Sequence, residues 1–194
     1  MALELLSPAG SPEALRAAVQ SGCGAVYLGW GSFNARRSAK NFSDEEFADA
    51  IRYCHLRGVR VFLTLNTLLT DRELPGAAAA LRKASAMGVD AVLVQDWGLL
   101  TLAKEIVPDL PLHASTQMSI HNLAGVEAAA EMGITRAVLA RELSLEQIRF
   151  ISQHASIETE VFVHGKLPLA FSARCFTARH YGLNKDDCQF KCLE

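Results

Sequence analysis

Three of the chain's five cysteines stand together in residues 172–192, SARCFTARHYGLNKDDCQFKC. Their spacing is Cys175-x12-Cys188-x3-Cys192, and the segment between them, with RHYGLNKDD, is polar and loop-like. Thiolates on a loop are free to converge on a soft metal ion. Three such donors leave two chemistries open. Zinc would take a nitrogen as its fourth ligand, with His164 or His180 at hand. An iron–sulfur cluster would take a fourth cysteine, supplied beyond residue 194 or by a partner chain. Cys23 and Cys54 read differently, as small hydrophobes of the interior, because one precedes a strand and the other lies in a helical stretch.

A second set of polar residues follows the apolar runs of the chain: Asn34, Arg36 and Arg37, then Gln117, Arg141 and His164. Guanidinium forks bind carboxylates and phosphates through paired hydrogen bonds. Arg36, Arg37 and Arg141 are therefore expected to bind a small anionic substrate, with Asn34, Gln117 and His164 placed to orient it. Asp96 and Asn122 are expected to cap helices instead.

The elements that must carry these residues alternate between short apolar runs and amphipathic stretches. Strands are expected at Leu3–Leu6, Ala25–Gly29, Arg60–Leu65, Ala91–Val94, Leu112–Ser115, Ala137–Ala140 and Glu160–Val163. Ser11-Pro12-Glu13 reads as an N-cap followed by proline in the first turn. Ser43 with Glu46, and Ser144 with Gln147, read as capping boxes. Gly22, Gly58, Gly88 and Gly133 each stand just before a strand, where a left-handed residue stops a helix. Repeated βα units with continuous apolar strands mean a parallel sheet covered by helices. The expected fold is α/β, a TIM-type (β/α) barrel of about seven units, in which the working residues lie at the C-terminal strand ends. Closing eight strands takes about 250 residues, so at 194 residues the barrel is expected to be incomplete and the chain part of a longer one. Residues 1–165 are read as the barrel domain and 166–194 as a cysteine-rich metal-binding tail.

Bulk properties bound the partners. Half the residues are apolar and the formal charge is −2, a globular balance with no polybasic signature for nucleic acid or membrane. No run of eighteen apolar residues predicts a membrane span, and MALELLSPAG lacks the basic-then-apolar pattern of a signal peptide. A cytoplasmic protein is expected, where clustered cysteines bind metal or do redox chemistry rather than form disulfides. One local feature points to RNA as an alternative partner. Lys166, Arg174, Arg179, Lys185 and Lys191 interleave with Phe176, Tyr181 and Phe190 in the tail, which would let bases stack beside positive charge.

Several phrases resemble one family. EVFVHG (160–165) followed by the cysteine loop, LLSPAGSPEALRAAVQSG with AVYLG, FNAR (33–36), NFS (41–43) and STQMSIHN (115–122) are similar to the collagenase-like peptidases of unknown type. That family includes the ubiquinone-biosynthesis proteins UbiU and UbiV and the prephenate-dependent hydroxylases of tRNA and rRNA. LPLAFSARCFTAR (167–179) and its spacing to Cys188 and Cys192 are closest to UbiV. The resemblance implies a four-iron cluster on Cys175, Cys188 and Cys192. The fourth ligand of that set falls after the second strand, where this chain has FNARR and no cysteine; in the other family pattern a cysteine stands where this chain has Pro168.

The resemblance further implies oxygen-independent hydroxylation with an acidic co-substrate, prephenate, and a paralogous family member as heterodimer partner. Ubiquinone biosynthesis is the expected setting, with RNA base hydroxylation, a non-catalytic metal-bearing subunit and proteolysis as alternatives. Proteolysis finds little in the motifs, since neither G-x-S-x-G nor H-E-x-x-H occurs.

Overall fold

Helix ends set the rhythm of this chain. Gly22, Gly58, Gly88 and Gly133 have φ of 87°, 68°, 89° and 86°, the left-handed region that a side chain rarely tolerates. Each lets the backbone leave a helix and turn into the next strand, as expected. The computed structural model describes residues 3–31, 33–34, 42–165, 170–171, 175 and 180. Among them seven strands and six α-helices alternate, and every strand pairing described is parallel. The expected βα architecture is therefore present. By internal contacts the chain divides into two units, residues 1–111 and 112–194.

The first unit holds β1 (Leu6–Pro8), α1 (Pro12–Gln20), β2 (Ala25–Leu28), α2 (Asp44–His55), β3 (Arg60–Leu65), α3 (Leu74–Met87), β4 (Ala91–Val94) and α4 (Trp97–Ile106). Its four strands pair in chain order, with Val26 opposite Val61 and Leu63 opposite Val92. β3 and β4 have the expected limits, because continuous apolar runs such as VFLTL and AVLV suit strands buried on both faces. Val61, Phe62, Leu63, Val92 and Val94 are fully buried, as are Phe47, Leu81 and Leu99 on the covering helices. Each such side chain contributes ~2 kcal/mol of burial. Helix starts are specified locally: Ser11 accepts from Ala14 N, and Ser43 and Glu46 form the reciprocal capping box. β1 begins three residues later than expected. Leu3 is exposed, and the ladder starts only where Gly24 N and Ala25 N donate to the Leu5 carbonyl.

The second unit holds β5 (Leu112–Ala114), a 3₁₀ turn (Thr116–Met118), α5 (Leu123–Glu131), β6 (Ile134–Val138), α6 (Leu145–His154) and β7 (Glu158–Glu160). Its core is Leu112, Ala114, Val126, Ala129, Ile134, Val138, Leu139 and Ile151. Ser144 and Gln147 form the second capping box. Here two expected limits shift: β6 spans 134–138 rather than 137–140, and β7 spans 158–160 rather than 160–163. The cause is an ion pair that an apolar template misses. Arg136 stands opposite Glu158; its Nε donates to Glu158 Oε2 at 2.8 Å and its Nη1 lies 3.6 Å from Glu160 Oε2. A buried guanidinium is tolerable when it is paired in this way, so ITRAV and ETE become strands.

No helix among the described residues is long and apolar enough to cross a membrane.

Candidate functional site

In the first unit, the chain beyond β2 is held by Trp30. Its indole stacks on Phe47 at 4.9 Å and 11°, and its Nε1 donates to Asp44 Oδ1 at 3.0 Å. Lys83 of α3 pairs with the other Asp44 oxygen and lies 5.2 Å over the Trp30 ring. The Lys83 hydrogen bond, reinforced by Trp30, holds the Asp44 carboxyl below its ordinary value. Asn34 is buried and donates from Nδ2 to the Gly31 carbonyl at 3.2 Å. A Cβ on Gly29 would stand 2.9 Å from the Asn34 amide, so a larger residue there would displace the Asn34 side chain. In this structure, then, Asn34 fastens the turn that leaves β2. Asp96 caps α4 as expected, accepting from Leu99 N at 2.9 Å, and its second oxygen accepts from Leu69 N at 3.2 Å. Arg36 and Arg37 lie outside the described residues.

The second unit gathers more of the expected site at its C-terminal strand ends. His113 and Ser115 are buried at the end of β5, and Gln117 is half-buried on the 3₁₀ turn. Ser119 closes that turn with φ of 60°, an uncommon conformation for a side-chain-bearing residue. The His121 Nδ1–H donates to the Ser119 carbonyl at 2.8 Å, which places the ring proton on that nitrogen. Asn122 caps α5 as expected, accepting from Gly125 N at 2.7 Å. Ala140 N donates to the Ile120 carbonyl and Leu139 N to the Glu160 carbonyl, so the three strand ends leave the sheet side by side. Arg141 is half-buried there with its Cζ 4.0 Å from the Phe162 ring centroid. His164 is exposed and precedes Gly165.

Sequence patterns singled out neither Trp30 nor Phe162. A lone aromatic after a strand carries no periodicity, and its partners come from elsewhere in the chain.

Cys23 and Cys54 are buried, and burial pushes both thiols up, Cys54 to about 11. They are buried in the interior, as expected. Cys175 is half-buried, whereas Cys188 and Cys192 lie outside the described residues. Among the described residues no three histidine, cysteine or acidic side chains gather as a metal cluster would require. The donor chemistry of the three thiols nonetheless suits a soft metal.

Comparison with known proteins places this arrangement. The profile of peptidase family U32 matches residues 10–193. The chain belongs to peptidase family U32. This U32 protein is 40% identical to the 23S rRNA 5-hydroxycytidine C2501 synthase of Escherichia coli strain K12, over 98% of the present chain and 29% of that protein. It is 33% identical to tRNA hydroxylation protein P1 of Bacillus subtilis strain 168, over 91% of the chain and 42% of the relative. The chain thus spans less than half the length of both curated relatives. Among solved structures it resembles a U32 peptidase with a TM-score of 0.68 at 16% identity, covering 82% of this chain and 68% of that one. At that identity the likeness speaks for the shared TIM-type fold.

Proposed function

We propose that this U32 protein takes part in hydroxylating a base of RNA. The observation that carries the proposal is the 40% identity, over 98% of the chain, with a protein named for making 5-hydroxycytidine in rRNA. The tRNA hydroxylation protein supports the same reaction class on a second RNA. On this reading RNA, rather than the ubiquinone precursor expected from the UbiV-like tail, is the substrate. The protein is an enzyme or a hydroxylase subunit working in the cytoplasm, where tRNA and rRNA are found.

Cys175, Cys188 and Cys192 would hold an iron–sulfur cluster, with zinc as the alternative occupant. A cluster bound there supplies one-electron chemistry. The chain's own side chains do the recognition. Arg141 offers N–H donors in the plane of its guanidinium, suited to a carboxylate of an acidic co-substrate. Gln117 and His164, from neighbouring strand ends of the same unit, would orient that co-substrate. A paralogous partner subunit would supply the missing fourth ligand.

Proteolysis is the second reading, favoured by the match of residues 10–193 to a family described as peptidases. Two assays separate them. Total RNA from cells with and without the gene is digested to nucleosides and weighed. Loss of a pyrimidine nucleoside carrying one extra oxygen supports hydroxylation. Unchanged nucleosides, together with gelatin cleavage by the purified protein, would replace it with proteolysis.

A further inference from the structure

Two large rings stand in water at the strand ends of the second unit. Phe162 is 43% and Phe171 54% exposed. Single exposed apolar residues are ordinary on any protein surface, but these two are organised. The Arg141 guanidinium lies over the Phe162 ring with its Cζ 4.0 Å from the centroid. His121 meets Phe171 edge-on, with centroids 6.2 Å apart and planes at 85°. The backbone brings His121, Arg141 and Phe162 to neighbouring strand ends. The Ile120 carbonyl accepts from Ala140 N and the Glu160 carbonyl from Leu139 N. His121 and Arg141 each follow a bonded residue directly, and Phe162 follows two residues after its own. The remaining exposed apolar residues of the unit include Leu145 and Phe150 on α6, where Phe150 packs on its own helix neighbour His154.

A base that is to be hydroxylated on its ring has to be out of a duplex stack before chemistry can reach it. The unpaired base then needs another surface. Aromatic rings and guanidinium planes both provide one, and they accept any base because every base has a π face. Resting on RNA as the substrate, we infer that the Arg141–Phe162 pair, flanked by His121 and Phe171, is a stacking platform for an unpaired base of that RNA. Phe162 supplies the uncharged plane. Arg141 adds a guanidinium over the same ring, a second plane on which a base can stack.

The test uses the intact protein and a short single-stranded RNA carrying 2-aminopurine, whose fluorescence falls when it stacks. Wild-type protein is expected to bind it and quench the probe. Phe162→Ala and Phe162→Leu should weaken binding about tenfold or more and abolish quenching, while Phe162→Trp preserves both. The salt dependence of binding should be the same in all four proteins, because the ring neutralises no phosphate. Phe162→Leu keeps an apolar side chain at a partly exposed position, and its melting curve reports whether the fold is intact. Wild-type affinity and quenching in folded Phe162→Leu would overturn the platform and leave RNA hydroxylation standing. No binding of single-stranded RNA by the wild type, even at low salt, would overturn both.

Discussion

Lys83 reaches from α3 to the Asp44 carboxylate in the first turn of α2 while lying 5.2 Å over the Trp30 ring. One carboxylate thereby ties together the end of β2 and two helices. Its hydrogen bonds from Lys83 and then Trp30 favour the charged form and hold its titration below the ordinary carboxylate value. That contribution to stability is present above the unfolded-state value, about 4, and is lost as pH falls through the folded-state value. Asp44→Asn should therefore lower the urea midpoint at pH 7, and the gap to wild type should close as the solution is acidified below pH 4. A gap that stays constant with pH would mean the carboxylate charge does not matter.

The Arg136 pair makes an asymmetric prediction. The Arg136 side chain is 7% exposed, whereas that of Glu158 is 60% exposed. Arg136→Met leaves Glu160, whose side chain is 17% exposed, without its cationic neighbour and should cost about 3 kcal/mol in urea unfolding. Glu158→Gln keeps an amide oxygen to accept from the Arg136 Nε and leaves Glu160 3.6 Å from the guanidinium to balance its charge, and should cost under about 1 kcal/mol. Equal costs would contradict the view that buried guanidinium, not surface pairing, makes ITRAV a strand.

Cys54 should be chemically silent in the folded protein. With its thiol raised to about 11, chiefly by burial, almost no thiolate exists at pH 8, and the thiolate is the reactive form. Iodoacetamide followed by peptide mass mapping should leave Cys54 unlabelled until urea is added. The same shift makes stability flat below about pH 7, where the thiol is neutral in both states. Between pH 9 and 11 the unfolded thiol ionises first, so stability should fall, by an amount on the order of 2 kcal/mol. Cys54→Ala should remove that part of the decline.

The thiol trio predicts a metal. Protein purified without oxygen should carry iron and acid-labile sulfide, about four of each per chain for a four-iron cluster. Cys175→Ser, Cys188→Ser and Cys192→Ser should each reduce both. One zinc per chain without sulfide would assign the trio to the alternative ion.

Legibility in the sequence followed the range of the forces involved. β3 and β4 were readable because burial on both faces writes a continuous apolar run. Ser43–Glu46 and Ser144–Gln147 were readable because a cap is closed within three residues. β6 and β7 were misplaced because their buried face is ionic, and the partners Arg136 and Glu158 are 22 residues apart. The Trp30 clasp draws on Asp44 and Lys83, 14 and 53 residues away along the chain, and nothing local announces it. Asn34 was read from the sequence as a substrate-orienting residue, and its hydrogen bond to the Gly31 carbonyl, which shapes the turn, was not foreseen. Phe162 was read as the apolar end of a strand, whereas it stands beyond β7 with Arg141 on its face.

RNA base hydroxylation stands or falls most directly on nucleosides from separate tRNA and rRNA pools of a gene-deleted strain. A hydroxylated pyrimidine should vanish from one pool, return with the wild-type gene, and fail to return with Cys175→Ser. If both pools keep every hydroxylated nucleoside after deletion, this protein does not serve that reaction.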